Sequence, residues 1–178
     1  YAVVTSSGLG SKGSDGINTT GSDLEVAAYK NIVEWLNGKR KAYSDKTSNH
    51  EVKADWSNGN VAMTGLSWAG TTTFGVASTG VEGLKTIVPA AGIASWYDHF
   101  NSQGSPLDTG ASNDLSWLSV YTSGRILDKE DWDKVKDYYA AYITKLNELQ
   151  HKDGHNYNEE YAKRDYTLNA ANLKAAPL

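Results

Sequence analysis

Three short apolar runs, Tyr1–Ser6, Asn60–Gly65 and Leu84–Ala90, alternate with helical patterns, and this alternation constrains the chain more than any other feature. Each run is bounded by turn residues, which fits a strand buried on both faces. Between the first two, Ser22-Asp23-Leu24-Glu25 reads as a capping box in which Glu25 reaches back toward the cap. Leu24, Ala28, Ile32, Trp35 and Leu36 then share one helical face, and Gly38 stops the helix. Between the second and third runs, a small-residue helix is expected over Trp68–Ser78. Strand, helix, strand, helix, strand implies crossover connections and a parallel sheet, so the fold class is α/β.

The second half follows another pattern. Beyond Gly92 no further strand is expected, and Ala111–Tyr121 and Lys129–Gln150 read as helices. In the longer one Trp132, Val135, Tyr139, Tyr142, Ile143, Leu146 and Leu149 form a stripe, the pattern of core or lid packing. Residues 94–165 are therefore read as a helical insertion on an α/β sheet, within one partial domain spanning 1–178. Lys39–Asp55 is polar, lacks a period, and reads as an exposed excursion.

Composition removes several function classes. Of 178 residues, 17 are Lys or Arg and 21 Asp or Glu, a net charge of −4. Nucleic acid and anionic membranes call for concentrated positive charge, and the only basic cluster is Lys39-Arg40-Lys41. No apolar run approaches the roughly 18 residues of a membrane span. The absence of cysteine excludes disulfides and thiolate metal sites and fits a reducing cytoplasm. No basic-then-apolar segment opens the chain, and Tyr1 starts what looks like mid-strand, so a piece of a longer polypeptide is expected.

The chemistry concentrates in Gly65-Leu66-Ser67-Trp68-Ala69-Gly70. A serine between a strand and a helix must occupy a sharp turn that lifts its hydroxyl above the sheet, and its flanking positions must be small. Gly65 and Ala69, two residues either side of Ser67, meet that need, and Gly70 leaves more room. The Trp68 N–H would then face a developing oxyanion, with the helix N-terminus adding positive potential. The competing reading is an ordinary serine N-cap. The glycine-rich stretch from Gly8 to Gly16 superficially resembles a phosphate loop, but it lacks the Gly-Lys-Ser/Thr ending and no helix follows directly.

A serine nucleophile needs a base oriented by a carboxylate, and in this fold class the acid and then the histidine follow the serine. His50 precedes Ser67, His99 follows too soon, and His151 and His155 read as solvated. The spacing of the last two comes without a metal-binding helix motif. The triad aspartate and histidine are thus expected outside this chain, as is the second oxyanion donor.

GLSWAG, then Ser95-Trp96-Tyr97-Asp98-His99-Phe100, then the Asp/Tyr-rich insertion, resemble the X-prolyl dipeptidyl aminopeptidases, serine peptidases related to cocaine esterase and α-amino-acid ester hydrolases. The opening AVVTSSGLGSKGSDG and GSDLEVAAYKNIVEWL are similar to the same enzymes, so the resemblance covers essentially the whole chain. Trp68 and His99 stand where the family commonly has tyrosine. The resemblance implies a partial α/β-hydrolase fold of about three parallel strands with a helical lid. It implies release of X-Pro dipeptides from a free N-terminus through an acyl-enzyme on Ser67, without metal or organic cofactor.

It further implies that Trp96 and His99 lie near the pocket for the proline ring, which aromatic walls suit; plain core packing is the alternative for Trp96. The substrate ammonium needs a carboxylate, for which Asp114 is the candidate, although an acid at a helix start also complements the dipole. The implied partners are a peptide with proline second and, by family resemblance, a second copy in a cytoplasmic homodimer. The chain alone is expected to be inactive. Two rival readings remain: an esterase or acyltransferase acting on amino-acid esters, and a non-catalytic hydrolase-like scaffold that binds partners.

Overall fold

A computed structural model describes residues 1–11, 13–107, 114–123, 129–173 and 176–177. In chain order its elements are α1 (Asp23–Leu36), β1 (Ala42–Tyr43), β2 (Glu51–Val52), β3 (Val61–Leu66), α2 (Trp68–Ser78) and β4 (Leu84–Ala90). There follow α3 (Trp96–Phe100), β5 (Asn101–Ser102), β6 (Ser105–Pro106), α4 (Leu115–Ser123), α5 (Lys129–Gln150), α6 (Glu159–Ala162), a 3-10 helix over Tyr166–Asn172, and β7 (Ala176–Pro177). The chain divides into two compact units, one of Tyr1–Glu25 with Trp96–Arg164, the other of Val26–Ser95 with Asp165–Leu178. Among the described residues no helix is long and apolar enough to cross a membrane.

The Val26–Ser95 unit is built on a parallel sheet of order β3-β4-β7. Gly65 stands opposite Pro89 and Leu66 opposite Ala90, so β3 and β4 end level with each other. Val26 and Val33 of α1, Val76 and Ala77 of α2, and Leu84 and Ile87 of β4 are buried. The helices approach closely because Gly75 has no side chain. A Cβ there would lie 2.7 Å from Val26 Cγ2 and 3.2 Å from the Tyr166 ring. The left-handed Gly38 (φ 75°) follows the end of α1, its N–H donating to the Trp35 carbonyl at 3.0 Å.

Two expectations are corrected here. Tyr1–Ser6 forms no strand, and Tyr1 and Val3 are exposed. An apolar run becomes a strand only when a neighbour takes up its backbone groups, and this segment joins no ladder among the described residues. The third parallel strand is instead β7, in a region where no strand was expected, since two residues carry no period. Lys39–Asp55 is exposed as expected, and within it lies the small antiparallel ladder β1–β2, with the Trp35 indole donating to the Val52 carbonyl at 2.8 Å. Of the helix expected from Ala111, residues 111–113 lie outside the described set; α5 matches its expected bounds.

The Trp96–Arg164 unit is helical, and a buried polar loop, Ile17–Gly21, runs through it. Arg164, only 1% exposed, donates Nε to the Thr20 carbonyl (2.6 Å) and Nη2 to the Thr19 carbonyl (2.9 Å). Its Nη1 donates to the Glu160 carbonyl (3.0 Å) and carboxylate (2.9 Å). Tyr142 of α5 donates to the Thr19 carbonyl, and the Thr20 hydroxyl to the Leu115 carbonyl. The capping box forms with a one-residue offset, Glu25 accepting the Gly21 N–H at 2.8 Å. On α4 the inward face is Leu115, Ser116, Ser119 and Ser123, while Trp117, Val120 and Tyr121 are exposed.

Candidate active site

The turn between β3 and α2 is one residue long, and that residue is Ser67. Its backbone sits at φ 58°, ψ −114°, outside every region comfortable for a residue with a side chain. Such a conformation costs about 1–3 kcal/mol and persists only where the surroundings enforce it. They do so on both sides. The Ser67 N–H donates to the Ala90 carbonyl at 2.8 Å, and the Ser67 carbonyl accepts the Thr71 N–H at 2.8 Å.

The small residues around Ser67 are required by contact. A Cβ on Gly65 would lie 2.5 Å from the Ala69 carbonyl carbon and Cβ. One on Gly70 would lie 2.7 Å from the Ala90 carbonyl oxygen, and one on Gly92 would lie 2.7 Å from the Gly70 carbonyl carbon. The end of β3, the first turn of α2 and the segment after β4 therefore close on one another at backbone contact.

Ser67 is exposed and its side chain makes no capping hydrogen bond to α2, which removes the ordinary N-cap reading. The first turn of α2 carries no acidic residue, so its positive end is not offset by a carboxylate of its own. The Trp68 N–H occupies the first position of that helix. His50, in the same unit, lies in the exposed 44–50 segment between β1 and β2, its carbonyl accepting the Ser44 N–H at 3.0 Å.

The other residues singled out belong to the Trp96–Arg164 unit. Trp96 is 1% exposed; its ring packs edge-on against His99, centroids 6.1 Å apart, and at a tilt against Phe100, centroids 5.9 Å apart. Its local setting is that of a core residue. His99 keeps an exposed face, and partial burial of its ring lowers its pKa. Asp114 immediately precedes α4, and its Oδ1 lies 2.7 Å from His151 Nε2, both side chains about one-third exposed. The His151 ring in turn meets His155 edge-on. Among the described residues no group of three or more His, Asp or Glu side chains could hold a metal ion.

Sequence reasoning treated Asp114 and His151 separately, and their spacing of 37 residues gives no local signal of the pair. It also passed over Thr71, whose hydroxyl donates to the Ser67 carbonyl (3.1 Å) and accepts the Ile93 N–H (2.9 Å).

Residues 1–178 match the family described as X-Pro dipeptidyl-peptidase (S15 family). The chain is 38% identical over 177 residues to the Xaa-Pro dipeptidyl-peptidase of Pediococcus pentosaceus and 40% identical over 178 residues to that of Streptococcus pneumoniae. These alignments cover 98% of this chain and 22% and 23% of the relatives' lengths. The fold is similar to that of a CocE/NonD family hydrolase from Staphylococcus aureus, with a TM-score of 0.59 and 22% identity over 94% of this chain and 25% of that one.

Proposed function

We propose a function from one premise: this chain belongs to the X-Pro dipeptidyl-peptidase (S15) family. It carries the nucleophilic part of a serine exopeptidase of the α/β-hydrolase fold that releases X-Pro dipeptides from peptide N-termini. The observation that carries this reading is the backbone of Ser67, forced to φ 58° between β3 and α2 with its hydroxyl exposed and uncommitted to capping.

In the proposed reaction the Ser67 oxygen attacks the carbonyl that follows proline, while a histidine base takes the hydroxyl proton. The carbonyl oxygen becomes an oxyanion held by the Trp68 N–H and the positive end of α2. The bond to the leaving amine breaks as the histidine returns the proton, leaving the dipeptide acylated on Ser67, and water then releases it. The aspartate, the histidine and the second oxyanion donor come from outside this chain, which alone is inactive.

His99 offers its exposed ring to the proline, with Trp96 supporting it edge-on, and Asp114 is the carboxylate for the substrate ammonium. The stretch over 94–165 is a helical insertion in the chain of the hydrolase domain. A cytoplasmic location and a homodimer belong to the same proposal and rest on the family resemblance.

The test is competing turnover of Gly-Pro-anilide and a simple aryl ester by the full-length polypeptide carrying this chain. Efficient release of Gly-Pro is expected. A preference for the ester by orders of magnitude rejects the peptidase reading in favour of an esterase.

A further inference from the structure

We propose that Thr71 is a positioning residue that aims the oxyanion donor, an inference that rests on Ser67 being the nucleophile. Ser67 C=O and Trp68 N–H are the two ends of a single peptide unit. That unit is planar and trans, so the N–H points opposite to the carbonyl. Whatever fixes the direction of the Ser67 oxygen therefore fixes the direction of the Trp68 N–H.

The Ser67 oxygen is held by two donors from one residue, the Thr71 N–H at 2.8 Å and the Thr71 hydroxyl at 3.1 Å. A backbone N–H donor is ordinary for a helix, and threonine hydroxyls often bond back to a preceding turn. Thr72 and Thr73 do so here, to the Trp68 and Gly70 carbonyls. Thr71 differs in that its oxygen also accepts the Ile93 N–H at 2.9 Å. Its single proton is thereby committed toward Ser67, and the hydroxyl becomes a bridge from the segment after β4 to the nucleophile's own peptide.

Thr71, at the centre of the bridge, is 2% exposed, and it is flanked by backbone contacts that leave little slack. Ala91 is left-handed at φ 47°, and a Cβ on Gly92 would lie 3.0 Å from the Thr71 nitrogen. Ser67 is strained at φ 58°, so losing one of the two donors that hold its carbonyl lets the peptide turn toward relief. A misdirected donor loses most where charge develops, in the transition state. Removing the hydroxyl should lower kcat more than it raises KM.

The experiment measures Gly-Pro-anilide turnover and inhibition by a boronic-acid analogue of Gly-Pro in the full-length polypeptide. Thr71→Val keeps the shape and removes the bridge; kcat is expected to fall about tenfold with KM within about twofold. The boronic acid should weaken by the same factor as kcat/KM, whereas Thr71→Ser should restore both. Thr71→Ala, the second variant if valine does not fold, should show the same loss. Wild-type kcat in Thr71→Val or Thr71→Ala, or no rescue by serine, overturns the proposal. Ser67→Ala is run in parallel. Turnover surviving in Ser67→Ala overturns the nucleophile reading itself, while its loss beside a normal Thr71→Val removes the Thr71 inference alone.

Discussion

The Ser67 N–H donates to the Ala90 carbonyl at 2.8 Å, tying the residue that turns the chain after β3 to the last residue of β4. The unusual backbone of Ser67 is thus held by the neighbouring strand end and by its own helix. The same crowding makes a sharp prediction about glycine. Gly65→Ala and Gly70→Ala should each cost about 1–3 kcal/mol or more, because the added methyl meets backbone atoms that cannot yield. Gly154 is left-handed but has open space beside it, so Gly154→Ala should cost only about 1 kcal/mol. Urea unfolding of the three variants checks the order. Serine labelling should be lost in the first two and kept in the third.

Arg164 is the buried clamp of the other unit, joining the Thr19 and Thr20 carbonyls to Glu160. Arg164→Leu takes the guanidinium donor from the Thr20 carbonyl and one of its two cations from the buried Glu160 carboxylate, and should destabilise the protein by about 3–5 kcal/mol. Arg164→Lys should not restore stability, since one ammonium cannot reach the partners that a planar guanidinium spans. Denaturant midpoints of the two variants check this, with similar losses expected.

Glu160 gives the same cluster a pH dependence. Burial pushes its carboxyl up, but hydrogen bonds and charge from Lys163 and Arg164 pull harder, so its pKa falls below the usual 4.5. The unfolded chain then takes up the proton first. The stabilisation is complete above the unfolded value and is lost as pH falls through the lower folded one. Glu160→Gln should be less stable at neutral pH, and its melting temperature should fall less steeply between about pH 6 and pH 3. An unchanged acid limb in the variant contradicts this.

The pairing of Asp114 with His151 separates two roles for the aspartate. If Asp114 binds the substrate ammonium, Asp114→Asn should raise KM for Gly-Pro-anilide by about tenfold to a hundredfold, with a smaller change in kcat. His151→Gln leaves the carboxylate in place and should not raise KM. Equal changes in both variants would instead mean that the pair fastens the start of α4 to the end of α5. Steady-state kinetics of the full-length polypeptide decides between them.

What the sequence made legible was local. The bounds of β4, α2 and α5 follow from run length and period, and the serine turn follows from Gly65, Ala69 and Gly70, whose smallness answers to contacts within a few residues. What it hid was distant. Tyr1–Ser6 has the composition of a strand, yet composition supplies no neighbour. The two-residue β7 has a neighbour and no readable pattern. Arg164 meets Thr20 across 144 residues, and Ile93 meets Thr71 across 22, so neither bond leaves a trace in spacing. The inward serines of α4 also reverse the usual amphipathic reading, because polar groups face them: Asn147 of α5 faces Ser116, and Ser119 donates to the Asn18 carbonyl of the buried loop.

The central claim is that Ser67 is a nucleophile, and active-site labelling measures it most directly. The full-length polypeptide is treated with a fluorophosphonate probe, digested, and the modified peptide is read by mass spectrometry, with Ser67→Ala alongside. The account predicts one phosphonylated serine at position 67 and no label in the variant. Label of equal intensity in Ser67→Ala, or none in the wild type while it turns over Gly-Pro-anilide, would contradict it.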